Sequence, residues 1–217
     1  MSESCSTKKR IIVLICSLVV LCALTFGVRV ASLNASPVFS FGIKSLIYIL
    51  IGLDAVVSMK LTGINLKFDY KEPYQYMWGC LLAIVLFLLV GVIPAFFGIH
   101  MFGPQFEFNM LAFYKNIFFY FLFVGPAEEL FFREFILETF KDFIKPARVK
   151  VLAVVISSLI FGFWHLINGN LIQVLFTTMI GMAFGFAKYY IKSLKLPGLA
   201  VGHGLYDFLG YVITIFV

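Results

Sequence analysis

The 217-residue chain is 62% hydrophobic and only 13% charged, with a mean hydropathy of +1.01, whereas about a quarter of the residues in soluble proteins are charged. It reads as an integral membrane protein with no room for a soluble domain. The formal net charge of +6 does not point to nucleic acid, because most of the 17 Lys and Arg residues fall at the N-terminus or in alternate loops, the positive-inside pattern.

Seven stretches reach or approach the roughly 20 residues needed to cross a hydrocarbon core of about 30 Å: residues 11–28, 38–59, 77–98, 113–136, 151–167, 171–190 and 197–217. They predict an all-α polytopic bundle of about seven spans, multi-pass in the plasma membrane. Lys8, Lys9 and Arg10 put the N-terminus in the cytoplasm, and an odd number of crossings puts the C-terminus outside. The first stretch is too long for a signal-peptide core and lacks a clean small-x-small cleavage site, so it reads as a retained span.

The second stretch carries Lys44, near enough to its outer end to snorkel, and Asp54, near enough to its inner end to reach water or Lys60. Residues 60–76 form a mixed-charge inner loop, and Tyr74, Tyr76 and Trp78 supply an interfacial aromatic belt. Pro94, between Gly91 and Gly98, is expected to bend the third span. His100 reads as a solvated loop residue. Cys5, Cys16, Cys22 and Cys80 show neither a disulfide framework nor C-x-x-C spacing and read as structural.

Residues 125–138, G-P-A-E-E-L-F-F-R-E-F-I-L-E, place Glu128, Glu129, Arg133 and Glu134 inside an apolar stretch. Facing lipid, four such charges would cost on the order of 10 kcal/mol, so they must face protein or a wet cavity. Gly125-Pro126 predicts a new helix starting at depth, with proline in its first turn and both glutamates at its favourable N-terminal end. On a helical wheel Glu129 and Arg133 lie about 40° apart and pair, while Glu128 points about 100° away and is left free.

A basic turn around Pro146 reverses the chain, and Glu128 lies about as far before it as His165 lies after it. The two therefore return to nearly the same depth. Phe161 sits one turn from His165 on the same helix face. The sixth stretch holds Gly181-x-x-x-Gly185, a common small-residue packing face, and the seventh places His203 and Asp207 one turn apart.

A carboxylate and an imidazole holding one water form a general-base pair, and a second polar pair can stabilise a tetrahedral oxyanion. That is peptide-bond hydrolysis without a covalent nucleophile; no G-x-S-x-G, reactive cysteine or H-E-x-x-H supports another route. Two histidines on separate spans, without short H-x-x-x-H spacing or a cysteine ligand, make a poor zinc set, so no metal and no cofactor is expected. Plainer readings stand beside this chemistry. Glu129 with Arg133 reads as a buried structural pair, Glu134 and Glu138 as solvated or paired near the basic loop, and Phe161 as packing. Glu128, His165 and His203 can also be a polar network that locks helices together, although such contacts contribute only about 1 kcal/mol each.

The motifs E-E-x-x-x-R at Glu128, Glu129 and Arg133, F-x-x-x-H at Phe161 and His165, and H-x-x-x-D at His203 and Asp207 resemble, in order, the three signatures of the CPBP (Abi) family. That family of intramembrane endopeptidases comprises CAAX prenyl endopeptidases and bacteriocin-processing or self-immunity proteins. The resemblance divides the chain into N-terminal spans with their loops, residues 1–112, and a protease core, residues 113–217. It implies that Glu128 and His165 activate water, that Glu129 and Arg133 support the site, and that His203 and Asp207 form the oxyanion hole. Its implied partners are the lipid bilayer and a peptide or membrane-protein substrate. Two positions depart from the pattern: Glu134 replaces a common glycine, and Asp207 stands where the CAAX enzymes have asparagine, although an ionised Asp only accepts hydrogen bonds. The rival readings are a non-catalytic immunity or scaffold protein of the same fold and a proton-coupled transporter, the latter disfavoured because the two halves show no internal repeat.

Overall fold

The computed structural model describes residues 6–33, 35–66, 68–99, 102, 107–144, 149–167 and 169–216. Cys5, Lys67, His100 and the centre of the basic turn at 145–148 lie outside them. Helices α1 (Thr7–Ser32), α2 (Pro37–Thr62), α3 (Tyr74–Phe96), α4 (Met110–Phe143), α6 (Leu171–Tyr190) and α7 (Leu196–Phe216) are long and apolar enough to cross a membrane. The fifth, α5 (Val149–His165), has 17 residues and stands at the short end of the spanning range. The described chain has no strand, and the fold is an all-α polytopic bundle.

Local chemistry fixes the helix ends. Ser6, Ser36, Asn109 and Asn170 cap α1, α2, α4 and α6 by accepting from backbone N–H groups three residues on, satisfying donors that a helix start leaves free. Pro37 opens α2, and Gly63 closes it at φ 73°, a left-handed conformation that glycine adopts without cost.

Two apolar clusters hold the bundle. Leu21 of α1, Ile51 and Met59 of α2, Phe131, Phe132 and Phe135 of α4, and Phe161 and Trp164 of α5 form the first. Leu86 and Val90 of α3, Ile180 and Phe184 of α6, and Leu199 and Tyr206 of α7 form the second. Buried hydroxyls link the first cluster. Ser17 and Ser58 share a hydrogen bond of 2.6 Å, Trp164 Nε1 donates to Thr25 Oγ1 at 2.8 Å, and Ser157 donates to the Phe132 carbonyl at 2.9 Å. Asp54 lies against Ser17 and Ser58, on the face that its helix turns towards α1.

Glycine contacts set the spacing of α7. A Cβ on Gly79 would overlap the backbone of Gly198 and Gly202, and one on Gly125 would overlap that of Ala200 and Gly204. Helix α7 therefore lies backbone to backbone against both α3 and the centre of α4, the close approach that small residues permit in membranes. Gly181 and Gly185 of α6 leave room for Ser158 and Val154 of α5.

The structure corrects one expectation for α4. Gly125-Pro126 does not begin a new helix, because the chain runs as one 34-residue helix from Met110 to Phe143. Pro126 lacks an N–H and its ring crowds the preceding turn. The helix absorbs both defects by widening on either side of Gly125–Glu128 into π-helical turns at Tyr120–Val124 and Glu129–Ile136. The Gly125 N–H accordingly bonds the Tyr120 carbonyl, and the Leu137 N–H bonds that of Phe132. In α3 a π turn at Phe87–Val92 likewise precedes Pro94.

Candidate active site

The widened turns of α4 aim two adjacent glutamates at one residue of α7. His203 Nδ1 donates to Glu129 Oε1 at 2.7 Å, while Nε2 lies 3.4 Å from Glu128 Oε2 and 3.7 Å from Asp207 Oδ2. Three carboxyl groups thus face the two ring nitrogens of a histidine that is 3% exposed. Glu128 is not free, as the helical wheel implied. Besides neighbouring His203, it accepts from the Tyr48 hydroxyl of α2 at 3.2 Å. The two acids do diverge, but the imidazole spans the divergence with one nitrogen for each.

Behind this cluster Glu129 Oε2 lies 3.3 Å from Arg133 Nε in an ion pair with no exposed surface on the acid. Arg133 meets aromatic faces rather than further acceptors, with its guanidinium carbon 4.8 Å from the Phe161 ring centroid and 5.9 Å from that of Phe184. Such cation–π contacts gain strength when desolvated. Phe184 also lies tilted 5.3 Å from the His203 ring and Phe161 stands 5.9 Å from it. Phe161 therefore packs against Arg133, His203 and His165 at once, which gives the aromatic of the second motif a physical task.

His165, the last residue of α5, donates from Nδ1 to the Phe161 carbonyl at 2.8 Å. With Nδ1 carrying a proton, the ring when neutral presents its lone pair at Nε2. Rings at 4.6 and 4.8 Å, Phe161 and Trp164, hold the imidazole in place. The placements meet in a cavity of about 310 Å³ whose lining includes Tyr48, Glu128, Trp164, His165 and Asp207, within the usual range for a small-ligand site. Thus α2, α4, α5 and α7 each deliver a polar group to one space, while Glu129, Arg133 and Phe161 stand behind it.

Two features have no counterpart in the sequence reading. Tyr48 is one tyrosine in an apolar helix, and only the packing of α2 on α4 brings it to Glu128. Lys188 of α6 was assigned to a basic loop. Its Nζ instead lies 3.0 Å from Glu134 and 3.1 Å from Glu138, and it donates to the Arg133 carbonyl at 2.5 Å. Lys141 adds a 2.6 Å contact to Glu138. Glu134, 5% exposed, is therefore paired, one of the two outcomes the sequence left open, through the cation of α6.

Residues 110–209 match the family described as type II CAAX prenyl endopeptidase Rce1-like. No curated protein and no solved structure matches the chain. All three motifs, from Glu128 to Asp207, fall inside the matched stretch, and their side chains meet around one cavity in a helical membrane bundle. On these grounds residues 110–209 are similar to the CAAX-type intramembrane proteases.

Proposed function

We propose that the protein is an intramembrane endopeptidase in which Glu128 and His165 activate a water for attack on a peptide carbonyl. The observation that carries this reading is the convergence of Glu128, His165 and Asp207 on one cavity, with His203 held behind it by Glu129. Glu128 or the free Nε2 of His165 takes the proton as the water oxygen bonds to the carbonyl carbon. His203 Nε2–H, with Asp207 orienting it, stabilises the oxyanion. The C–N bond then breaks as the amine receives the proton, leaving a carboxylic acid and an amine. Tyr48 positions Glu128, and the Glu129–Arg133 pair positions His203. The substrate is a peptide or a membrane-protein segment.

Comparative membrane peptidomics tests this reading in cells carrying the native chain, Glu128→Gln or His165→Ala. Each variant is expected to insert and express normally while its cleavage products vanish. Wild-type cleavage by either purified variant overturns the assignment, and persistence of a protective phenotype in both favours a non-catalytic immunity or scaffold role. The basic inner loops favour a cytoplasmic N-terminus in a plasma-membrane protein. Labelling of Lys145→Cys in a cysteine-free background is expected from inside only, and labelling from outside overturns this topology.

A further inference from the structure

The π-helical turn Glu129–Ile136 of α4 carries Glu129 and Arg133 and directly follows Glu128. The same residues could form an ordinary α turn, so something must favour the wider one. In the π turn the Leu137 N–H, which an α-helix gives to the Arg133 carbonyl four residues back, is spent on Phe132. Side chains bring other donors to the carbonyls of this turn. Ser157 of α5 donates to Phe132 at 2.9 Å, Thr139 of α4 to Phe135 at 2.7 Å, and Lys188 of α6 to Arg133 at 2.5 Å. Lys188 is the charged donor of the three, and its side chain is only 12% exposed. Glu134 and Glu138, at 3.0 and 3.1 Å, hold its ammonium at that carbonyl.

We infer that Lys188 is a positioning residue, which holds the π turn of α4 in the register that brings Glu129 to His203. This rests on the endopeptidase reading and adds the device that keeps its site assembled. The Arg133 whose carbonyl Lys188 binds also pairs with Glu129 at 3.3 Å, and Glu129 meets His203 Nδ1 at 2.7 Å. Lysine and imidazole are therefore joined through the backbone and side chain of one arginine and a single carboxylate. A buried carbonyl without a donor is costly, so loss of Lys188 favours return of the Leu137 N–H to Arg133. That exchange rotates one flank of the turn against the other by about 100°, one residue of an α-helix. Phe135 is fully buried in the first apolar cluster. A rotation of that size cannot keep both Phe135 in the cluster and Glu129 against His203.

The test uses the full chain in phosphatidylcholine nanodiscs. Lys188→Met with Glu134→Gln removes the donor and one buried acid together, while Glu138 keeps Lys141 at 2.6 Å. Glu134→Gln alone is the control that leaves Lys188 on the carbonyl. The first readout is independent of turnover: the Nδ1–H proton resonance of His203, assigned by its loss in His203→Asn. It is expected at its wild-type position in the control, shifted or lost in the double variant, and restored by Lys188→Arg with Glu134→Gln, for which the adjoining cavity of about 320 Å³ has room. The second readout is turnover of any peptide that the wild type cleaves. There the double variant is expected to lower kcat about 100-fold with KM little changed, the scale for reacting groups displaced by roughly 1 Å. A lysine that only glues helices together would lower stability and leave both readouts of the folded protein unmoved. Lys188→Met with Glu134→Gln and Glu138→Gln, which clears all three charges, is the second variant and carries the same expectation if the first does not fold. A His203 resonance unmoved in the folded variant overturns the positioning role. A lysine-dependent His203 shift in a protein that cleaves nothing sinks the protease reading and leaves that role, whereas wild-type kcat with an unmoved resonance does the reverse.

Discussion

Glu129→Ala should be a folding lesion, while Glu128→Gln next to it should be a lesion of chemistry alone. Glu129 accepts from His203 at 2.7 Å and pairs with Arg133 at 3.3 Å, with no exposed surface of its own. Its loss leaves a guanidinium that is 1% exposed facing two aromatic rings, and it deprives His203 Nδ1 of its acceptor. A charge-assisted hydrogen bond contributes about 1.5–3 kcal/mol, and stranding one partner of a buried pair costs about 3–5 kcal/mol. The expected loss of about 3–5 kcal/mol is a large share of a typical folding free energy of about 5–15 kcal/mol. The assay is reversible unfolding in mixed micelles of wild type, Glu129→Ala, Arg133→Met and the double variant. Removing both charges should recover at least about 1.5 kcal/mol relative to the sum of the singles. If each single costs under about 1 kcal/mol, the usual scale of polar contacts between membrane helices, and the double is additive, the pair does not hold the site together and the reasoning fails.

Tyr48→Phe removes the donor to Glu128 Oε1 and should lower kcat by about tenfold or more with KM little changed, measured on any peptide that the wild type cleaves; an unchanged kcat would separate Tyr48 from the chemistry. Asp207→Asn keeps the shape and gains an N–H donor, so it should retain much of the activity. Asp207→Leu should raise the barrier by about 2.7–4 kcal/mol, as for a lost oxyanion donor, and an inactive but folded Asn variant would end Asp207's part in the oxyanion hole. Gly79→Val forces a side chain into the backbone of Gly198 and Gly202, so the variant should fail to give a monodisperse peak in gel filtration.

Sequence alone carried the apolar spans, because a bilayer demands long uncharged runs and few residues break them here. It also carried the three motifs, because charges at membrane depth are conspicuous. The internal geometry of α4 was not legible. A proline after a glycine reads as a helix start, and nothing in the residue pattern announces that π turns on either side will keep one continuous helix. Glu128 looked free because a wheel of 3.6 residues per turn does not know that His203 stands between the acids. Tyr48 was invisible for a different reason. One hydroxyl among the Ile and Leu residues of α2 has no periodicity to betray it, and its role exists only once α2 packs on α4. Lys188 was visible as a charge but not as a buried partner, since the acids it meets belong to another helix.

The shortness of helix α5 has a consequence for its last residue. Its 17 residues rise about 25 Å, some 4–5 Å less than an average hydrocarbon slab. This hydrophobic mismatch is met either by local thinning of the lipid or by polar surroundings at one helix end, and the end that matters carries His165. Asn170, just beyond it, already caps the next helix with a polar side chain. On the proposed reading, a polar interface drawn down beside the imidazole would give hydrolysis at membrane depth a short route for its second reactant, water.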